Sequence, residues 1–254
     1  MYEKSVKILT VEFNGQAEDK LLLAAQKMMR EKTPCTIFTP NPQMLLAAHK
    51  DGHLSELLRS ASISLPDGIG ITIASKMLYG KALPRISGID FAQRLLSIAS
   101  KRGYSVFLLG GKEGRAEAAR DNLRKKMPSL NICGYADGYF QKSGEENERI
   151  RQKINTCSPD ILFVCFGFPA QEKWIVENLS FLPSVCLFMG LGGSIDVWSG
   201  QIKRSPPAMR KIGLEWLWRS LREPRRLKIL WEIPAFLWLV TAQKRALRSK
   251  AKRS

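Results

Sequence analysis

The chain has 254 residues with 44% hydrophobic content, which fits a globular α/β protein of one large domain, alone or with an appendage, and excludes a disordered chain. Its formal net charge of +17 favours acidic partners. We expect no signal peptide and no membrane-spanning helix, because no charged start precedes an apolar core and no run of about 18 apolar residues occurs.

Short β-rich runs alternate along the chain with stretches of helical spacing such as GIDFAQRLLSIASKRG. The runs YSVFLLG and DILFVCFG are apolar throughout, as strands covered by helices on both faces must be. This alternation predicts an α/β fold with a Rossmann-like, doubly wound, mostly parallel sheet. The expected strands lie near residues 7–13, 35–39, 62–65, 104–109, 130–135, 160–166 and 184–189.

A composition boundary falls near Gly200, so we predict a core over residues 1–200 and a basic, Trp-rich, helical appendage over 201–254. Residues 201–254 hold 15 of the 40 Lys and Arg and three acids, a charge of +12, which leaves +5 for the core. The appendage also holds four of the six tryptophans. Its apolar segment from Pro234 to Ala242 is too short to span a bilayer, and with cations on both sides it suits an anionic membrane surface.

Cysteine and histidine usage argues against a metal site. The five cysteines are odd in number without paired spacing, which predicts reduced, buried thiols in a cytoplasmic protein. With only two histidines and no His/Cys/Asp cluster, we expect no metal and no cofactor.

The segments that follow the predicted strands are candidates for a binding cleft, because ligands of such sheets bind outside the carboxyl ends of the strands. Glycines, prolines and short polar residues gather there, and Asp67 lies among them in PDG. Each piece also has a structural interpretation: Asp67 as a turn former, Asn41 as a helix cap, Gln171 and Glu172 as first-turn residues of a helix, and Arg85 as a solvated arginine. The segments are TPNPQ, PDGIG, GGKEG, GFPAQE and GLGGSID.

These motifs taken together resemble the bacterial WecG/TagA/CpsF glycosyltransferase family over about residues 8–230. The match runs through TPNPQMLLAA, LPDGIGI, RISGIDF, GFPAQEKW, GLGGSIDVWSG and RSPPAMRKIGLEWLWRSLREPRR, in this order. The resemblance implies transfer of a sugar from a UDP-sugar donor to a polyprenyl-diphosphate-linked acceptor, with inversion at the anomeric carbon and no obligatory metal. It implies a cytoplasmic protein, peripheral on the inner face of the cell membrane.

The teichoic-acid branch of the family implies N-acetylmannosamine as the transferred sugar and undecaprenyl-diphosphate-linked N-acetylglucosamine as the acceptor, in cell-wall biogenesis. N-acetylmannosaminuronic acid and glucose remain alternative donor sugars. The sequence also leaves open whether the chain forms a homo-oligomer.

The resemblance assigns roles to individual residues. It implies that Asp67 is the catalytic base, which takes the proton of the acceptor hydroxyl. Thr39 and Asn41 match a T-x-N motif suited to holding the acceptor or ordering Asp67. Arg85 would pair with a phosphate, and Gln171 would hydrogen-bond a sugar or uracil.

The remaining implied residues surround the donor diphosphate. Gly192 and Gly193 would let the backbone approach the nucleotide. Arginines of the appendage would neutralise the leaving UDP in place of a metal ion, although a solvated basic face is the alternative. These arginines are Arg219, Arg222, Arg225 and Arg226.

Two other functional classes fit less well. A nucleic-acid-binding protein would carry its charge on a groove-fitting surface and needs no carboxylate cleft, so we expect no nucleic-acid partner. A nicotinamide oxidoreductase would place a dinucleotide fingerprint after an early strand, and NGQAEDK does not supply one.

Overall fold

The computed structural model describes residues 5–222 and 229–251. Its main sheet has six strands in the order β4-β3-β8-β7-β5-β6, and every neighbouring pair is parallel. The predicted parallel α/β sheet is therefore confirmed. Its strands are β3 (Cys35–Phe38), β4 (Ile63–Ser64), β5 (Val106–Gly110), β6 (Ile132–Ala136), β7 (Ile161–Cys165) and β8 (Leu187–Gly190).

The prediction of a single strand over residues 7–13 is wrong. Strands β1 (Val6–Ile8) and β2 (Val11–Phe13) form an antiparallel hairpin outside the main sheet. Leu9 has a φ of 53° in the turn, which reverses the chain after Ile8. The reversal places all four apolar ends of the two strands in one buried cluster and leaves the middle residue of each strand exposed.

Twelve α-helices are described in residues 5–222 and 229–251, and helices pack on both faces of the sheet. On β5, Val106 and Leu108 pack into one apolar cluster and Phe107 and Leu109 into another, so both faces are buried. The helices are α1 (Glu18–Arg30), α2 (Pro42–Lys50), α3 (Gly52–Arg59), α4 (Ile69–Tyr79), α5 (Gly88–Arg102), α6 (Arg115–Lys126), α7 (Gly144–Cys157), α8 (Ala170–Asn178), α9 (Ser194–Trp198), α10 (Pro207–Lys211), α11 (Glu215–Arg222) and α12 (Ile229–Ala251).

Helix α12 packs against the N-terminal part of the chain. Phe236 and Val240 are fully buried in a cluster formed with β1, β2, α2 and α4. The Gln243 side chain accepts a hydrogen bond from the Leu9 amide at 2.8 Å and donates one to the Lys7 carbonyl at 3.2 Å. The division at residue 200 stays a prediction, but removal of α12 would uncover this cluster.

No helix in the described ranges is both long enough and apolar enough to cross a bilayer. All five cysteines are free thiols; three are buried, and Cys133 and Cys157 are half-buried. Burial raises the pKa of Cys35 and of Cys165 to about 12, which keeps both thiols protonated and unreactive.

Candidate active site at the carboxyl edge of the sheet

The loop that carries Asp67 lies beside the loop that follows β3, because β3 and β4 are neighbours in the sheet. A Cβ atom added at Gly70 would lie 2.5 Å from Cγ of Pro42, so only glycine allows this approach. Gly68 has a φ of 87°, a backbone conformation that also favours glycine. The half-buried Asp67 therefore sits at the rim of the sheet, next to the segment of Thr39.

Asn41 caps helix α2. Its Oδ1 accepts hydrogen bonds from the backbone amides of Gln43 at 3.0 Å and Met44 at 3.1 Å. The structural interpretation of Asn41 is thus confirmed, and its contact with an acceptor stays a prediction. The Thr39 side chain packs against the start of α5, since a Cβ atom at Gly88 would lie 2.8 Å from Cγ2 of Thr39.

Arg85 joins this rim to the C-terminal segment. The amide of Ile86 donates to the Pro66 carbonyl at 3.0 Å, which holds the Arg85 segment against the Asp67 loop. The Arg85 guanidinium donates from Nη2 to the Arg210 carbonyl. A Cβ atom at Gly213 would lie 3.1 Å from Nη1 of Arg85, so the turn between α10 and α11 passes directly over this arginine. Its pairing with a phosphate stays a prediction.

Gln171 links the loops that follow β7 and β8. Its Oε1 accepts hydrogen bonds from the amides of Gly167 at 3.2 Å and Gly192 at 2.8 Å, and its Nε2 donates to Oε1 of Glu172 at 2.8 Å. The side chain is buried, and these bonds fix the orientation of its amide. Gln171 therefore sets the shape of the Gly192 loop, whether or not it also reaches a substrate.

Glu172 is fully buried, and its Oε2 has no hydrogen-bond partner among the described residues. Burial raises the pKa of this carboxyl, and the hydrogen bond from Gln171 opposes that rise only in part. The sequence indicated a first-turn helix residue, and Glu172 does lie in the first turn of α8. Its burial was not evident from the sequence.

Open space borders the loop after β8. A Cβ atom at Gly192 would meet no atom within 4 Å, and one at Gly193 would meet only Oδ2 of Asp196, at 3.7 Å. The predicted approach of a nucleotide to these two glycines therefore finds room, although contact with a nucleotide stays a prediction. Arg115 forms an ion pair with Asp196 and thereby joins the GGKEGR and GLGGSID segments, a pairing that the sequence analysis missed.

The appendage arginines are only partly within the described residues. The backbone of Arg219 and Arg222 belongs to α11, but their side chains lie outside what the structure describes. Arg225 and Arg226 lie outside the described residues altogether. Their role at the diphosphate stays a prediction.

Two further features bear on ligand binding. In residues 5–222 and 229–251, no group of three or more His, Cys, Asp and Glu side chains could hold a metal ion. A cavity of about 210 Å³ lies between α5, α6 and α9, and it contains none of the predicted site residues. Its lining includes Asp90, in the first turn of α5, and Arg204.

Comparison with known proteins finds similarity over most of the chain. Residues 6–250 match the model of the glycosyl transferase WecG/TagA/CpsF family. An N-acetylglucosaminyldiphosphoundecaprenol N-acetyl-beta-D-mannosaminyltransferase of Bacillus subtilis (strain 168) is 34% identical over 85% of this chain and 82% of its own length. Proteins of the same name from Bacillus spizizenii and Staphylococcus aureus (strain MW2) are 33% and 32% identical, over 83% and 97% of this chain and 80% and 96% of their own lengths.

Proposed function

The chain belongs to the WecG/TagA/CpsF family of glycosyltransferases, and from this premise we propose that it transfers N-acetylmannosamine from its UDP derivative to undecaprenyl-diphosphate-linked N-acetylglucosamine. The product is the linkage unit of teichoic acid in cell-wall biogenesis. The observation that carries the proposal is the Staphylococcus aureus relative, named for this acceptor and this sugar, which aligns over 97% of the chain.

Asp67 is the proposed general base. Its carboxylate takes the proton of the acceptor hydroxyl while that oxygen attacks the anomeric carbon of the donor. A new C–O bond forms, the bond from the anomeric carbon to the diphosphate oxygen breaks on the opposite side, and UDP leaves. The rim position of Asp67, between two loops held by glycine contacts, supports this role.

The developing charge on UDP needs fixed cations. Arg85 lies on the same rim, and α11, which carries Arg219 and Arg222, begins next to it because the preceding turn at Gly213 packs on Ile69. We propose that these arginines, with Arg225 and Arg226, neutralise the diphosphate.

The acceptor lies in a membrane, and α12 offers a surface for one. Trp231 and Trp238 are 82% and 70% exposed, and their spacing of seven residues puts them on one face of the helix. Phe236 and Val240 face the protein instead. We propose that the tryptophan face and the nearby cations hold the enzyme on the inner face of the cell membrane.

A panel of UDP-sugars with a water-soluble polyprenyl-diphosphate-N-acetylglucosamine analogue tests the proposed reaction. We expect UDP-N-acetylmannosamine to be turned over at least about 10 times faster than its uronic acid or UDP-glucose, since a polar site rejects analogues that leave its groups unpaired. Preferred turnover of the uronic acid or of UDP-glucose would assign a different donor within the family. No transfer with any UDP-sugar would contradict the proposal.

A chelator should leave the transfer rate within about twofold of its original value, because arginines rather than a metal ion are proposed to stabilise the leaving UDP. The measurement is the initial rate with and without excess EDTA, followed by addition of Mg²⁺ or Mn²⁺. A rate that collapses with EDTA and returns with either ion would show that a metal supplies this charge.

A further inference from the structure

Arg204 connects two segments that are far apart in the sequence. It lies between α9 and α10, and its guanidinium donates to Oδ1 of Asp90 at 2.5 Å and to Oδ2 at 3.0 Å. The same guanidinium donates from Nη2 to Oε2 of Glu215 at 3.3 Å. One arginine therefore holds two carboxylates, and its bond to Asp90 has the two-pronged geometry that fixes orientation as well as distance.

The two carboxylates belong to the two halves of the proposed site. Asp90 lies in the first turn of α5, directly after the segment that Ile86 ties to the Asp67 loop. Glu215 is the first residue of α11, and Arg219 and Arg222 follow it four and seven positions later on the same helix. The position of Arg204 thus relates the rim of Asp67 to the helix of the two arginines.

The contact between Arg204 and Glu215 is largely shielded from solvent, whereas the Asp90 side chain is 52% exposed. The side chains of Arg204 and Glu215 are only 18% and 19% exposed. The hydrogen bond from Arg204 is the main cause that lowers the pKa of Asp90, so the charged form of Asp90 is favoured. Removal of one partner costs more for a shielded ion pair than for an exposed one, so loss of Arg204 would be felt mainly at Glu215, at the start of α11.

We infer that Arg204, through Asp90 and Glu215, is a positioning residue that orients α11 so that its arginines reach the donor diphosphate. This inference rests on the proposed function. Arg204 acts through the two carboxylates that its Nη1 and Nη2 atoms hold. The turn at Gly213, held by Arg85, provides a second attachment just before α11, so loss of Arg204 misaligns the helix rather than releasing the chain.

Arg204→Lys keeps the charge and loses the two-pronged bond with Asp90. Glu215→Gln keeps the Arg204–Asp90 pair and weakens the link from Arg204 to α11. For both variants we expect kcat to fall about tenfold, since small displacements of catalytic groups cost rate of this order, with the acceptor KM within about twofold. Arg94→Lys is the matched control, because Arg94 on α5 also pairs with two carboxylates, Glu18 and Asp19, but links α5 to α1.

Two readouts separate orientation of α11 from general stability. In hydrogen exchange, both variants should speed exchange of the α11 amides by about tenfold while the α5 amides remain as in the wild type. In a background of Arg219→Ala with Arg222→Ala, Arg204→Lys should cost less than about twofold further, because the groups it orients are already absent.

Each result decides between the inference and its alternatives. The role of Arg204 would be overturned if both variants kept the wild-type kcat and the wild-type exchange of the α11 amides. It would also be overturned if Arg204→Lys still cost a full tenfold in kcat in the background of Arg219→Ala with Arg222→Ala. Faster exchange throughout the protein would show a structural role only and would also overturn it. If the wild type transfers no sugar, the proposed function fails, whereas the exchange of α11 still tests the attachment.

Discussion

Asp67→Asn is expected to lower turnover by about 10²–10⁴ while binding of the UDP-sugar stays within about threefold. The substitution keeps the size of the side chain and its ability to fit the turn before Gly68, but an amide cannot accept the proton of the acceptor hydroxyl. Turnover measured with saturating substrates and donor binding measured by calorimetry would together separate the loss of the base from a loss of affinity.

Asp51→Asn is the matched control for this experiment. Asp51 also precedes a helix and accepts the His53 amide at 2.9 Å, and asparagine caps helices equally well, so this variant should transfer at the wild-type rate. If Asp67→Asn also transfers at a near-normal rate, Asp67 is a turn former and another group must act as the base.

The sheet was predictable because its strands differ from their surroundings in local sequence. The runs at β5 and β7 are apolar at every position, and the helical stretches between strands show the spacing of one buried face. The hairpin was missed because its turn depends on Leu9 at a φ of 53°, a conformation that leucine rarely adopts and that the sequence does not indicate. Burial of β1 and β2 against α12 provides a reason for this turn.

The candidate site was predictable as a location more than as a set of contacts. The rule that ligands bind at the carboxyl ends of strands was enough to bring the Asp67 and Asn41 segments to one rim. Which polar atoms the protein itself uses, such as Oδ1 of Asn41 in the cap and Oε1 of Gln171 between two loops, depends on distances after folding. The Arg204–Asp90 pair joins residues 114 positions apart, and local sequence carries no signal for such a pair.

The appendage was also predictable from its composition but not in its contacts with the rest of the protein. Its composition indicated a tryptophan-rich membrane segment, and the spacing of Trp231 and Trp238 agrees with one exposed face. The burial of Phe236 and Val240 on the opposite face was not anticipated, because it requires the partner surface built by α2 and α4. Shortening the chain at Gly200 or at Leu230 would therefore remove the proposed membrane surface and a part of the core at once, and substitutions on the exposed face are the sharper test.

Combined substitution of Trp231→Ser and Trp238→Ser is expected to weaken binding to anionic vesicles by about 10²–10³. An inserted tryptophan buries on the order of 100 Å² of its apolar surface, worth about 2 kcal/mol, and two such losses give a decrease of this size. Because both side chains are largely exposed, the unfolding midpoint should change little. Co-sedimentation with vesicles of mixed anionic and neutral lipid measures the binding.

Phe181→Ser is the control. Phe181 is an aromatic residue that is 53% exposed in the turn after α8, outside α12, and the variant should bind vesicles like the wild type.

Transfer by the double tryptophan variant should depend on the acceptor. With a short-chain, water-soluble acceptor the rate should stay within about threefold of the wild type, since α11 and the rim of Asp67 are unchanged. Transfer to the vesicle-embedded acceptor should fall with the binding. Wild-type binding should also weaken as salt rises, because part of the attraction to anionic lipid is screened. Undiminished sedimentation of the double variant would place the membrane surface elsewhere on the protein, and the tryptophan face of α12 would then lose its proposed role.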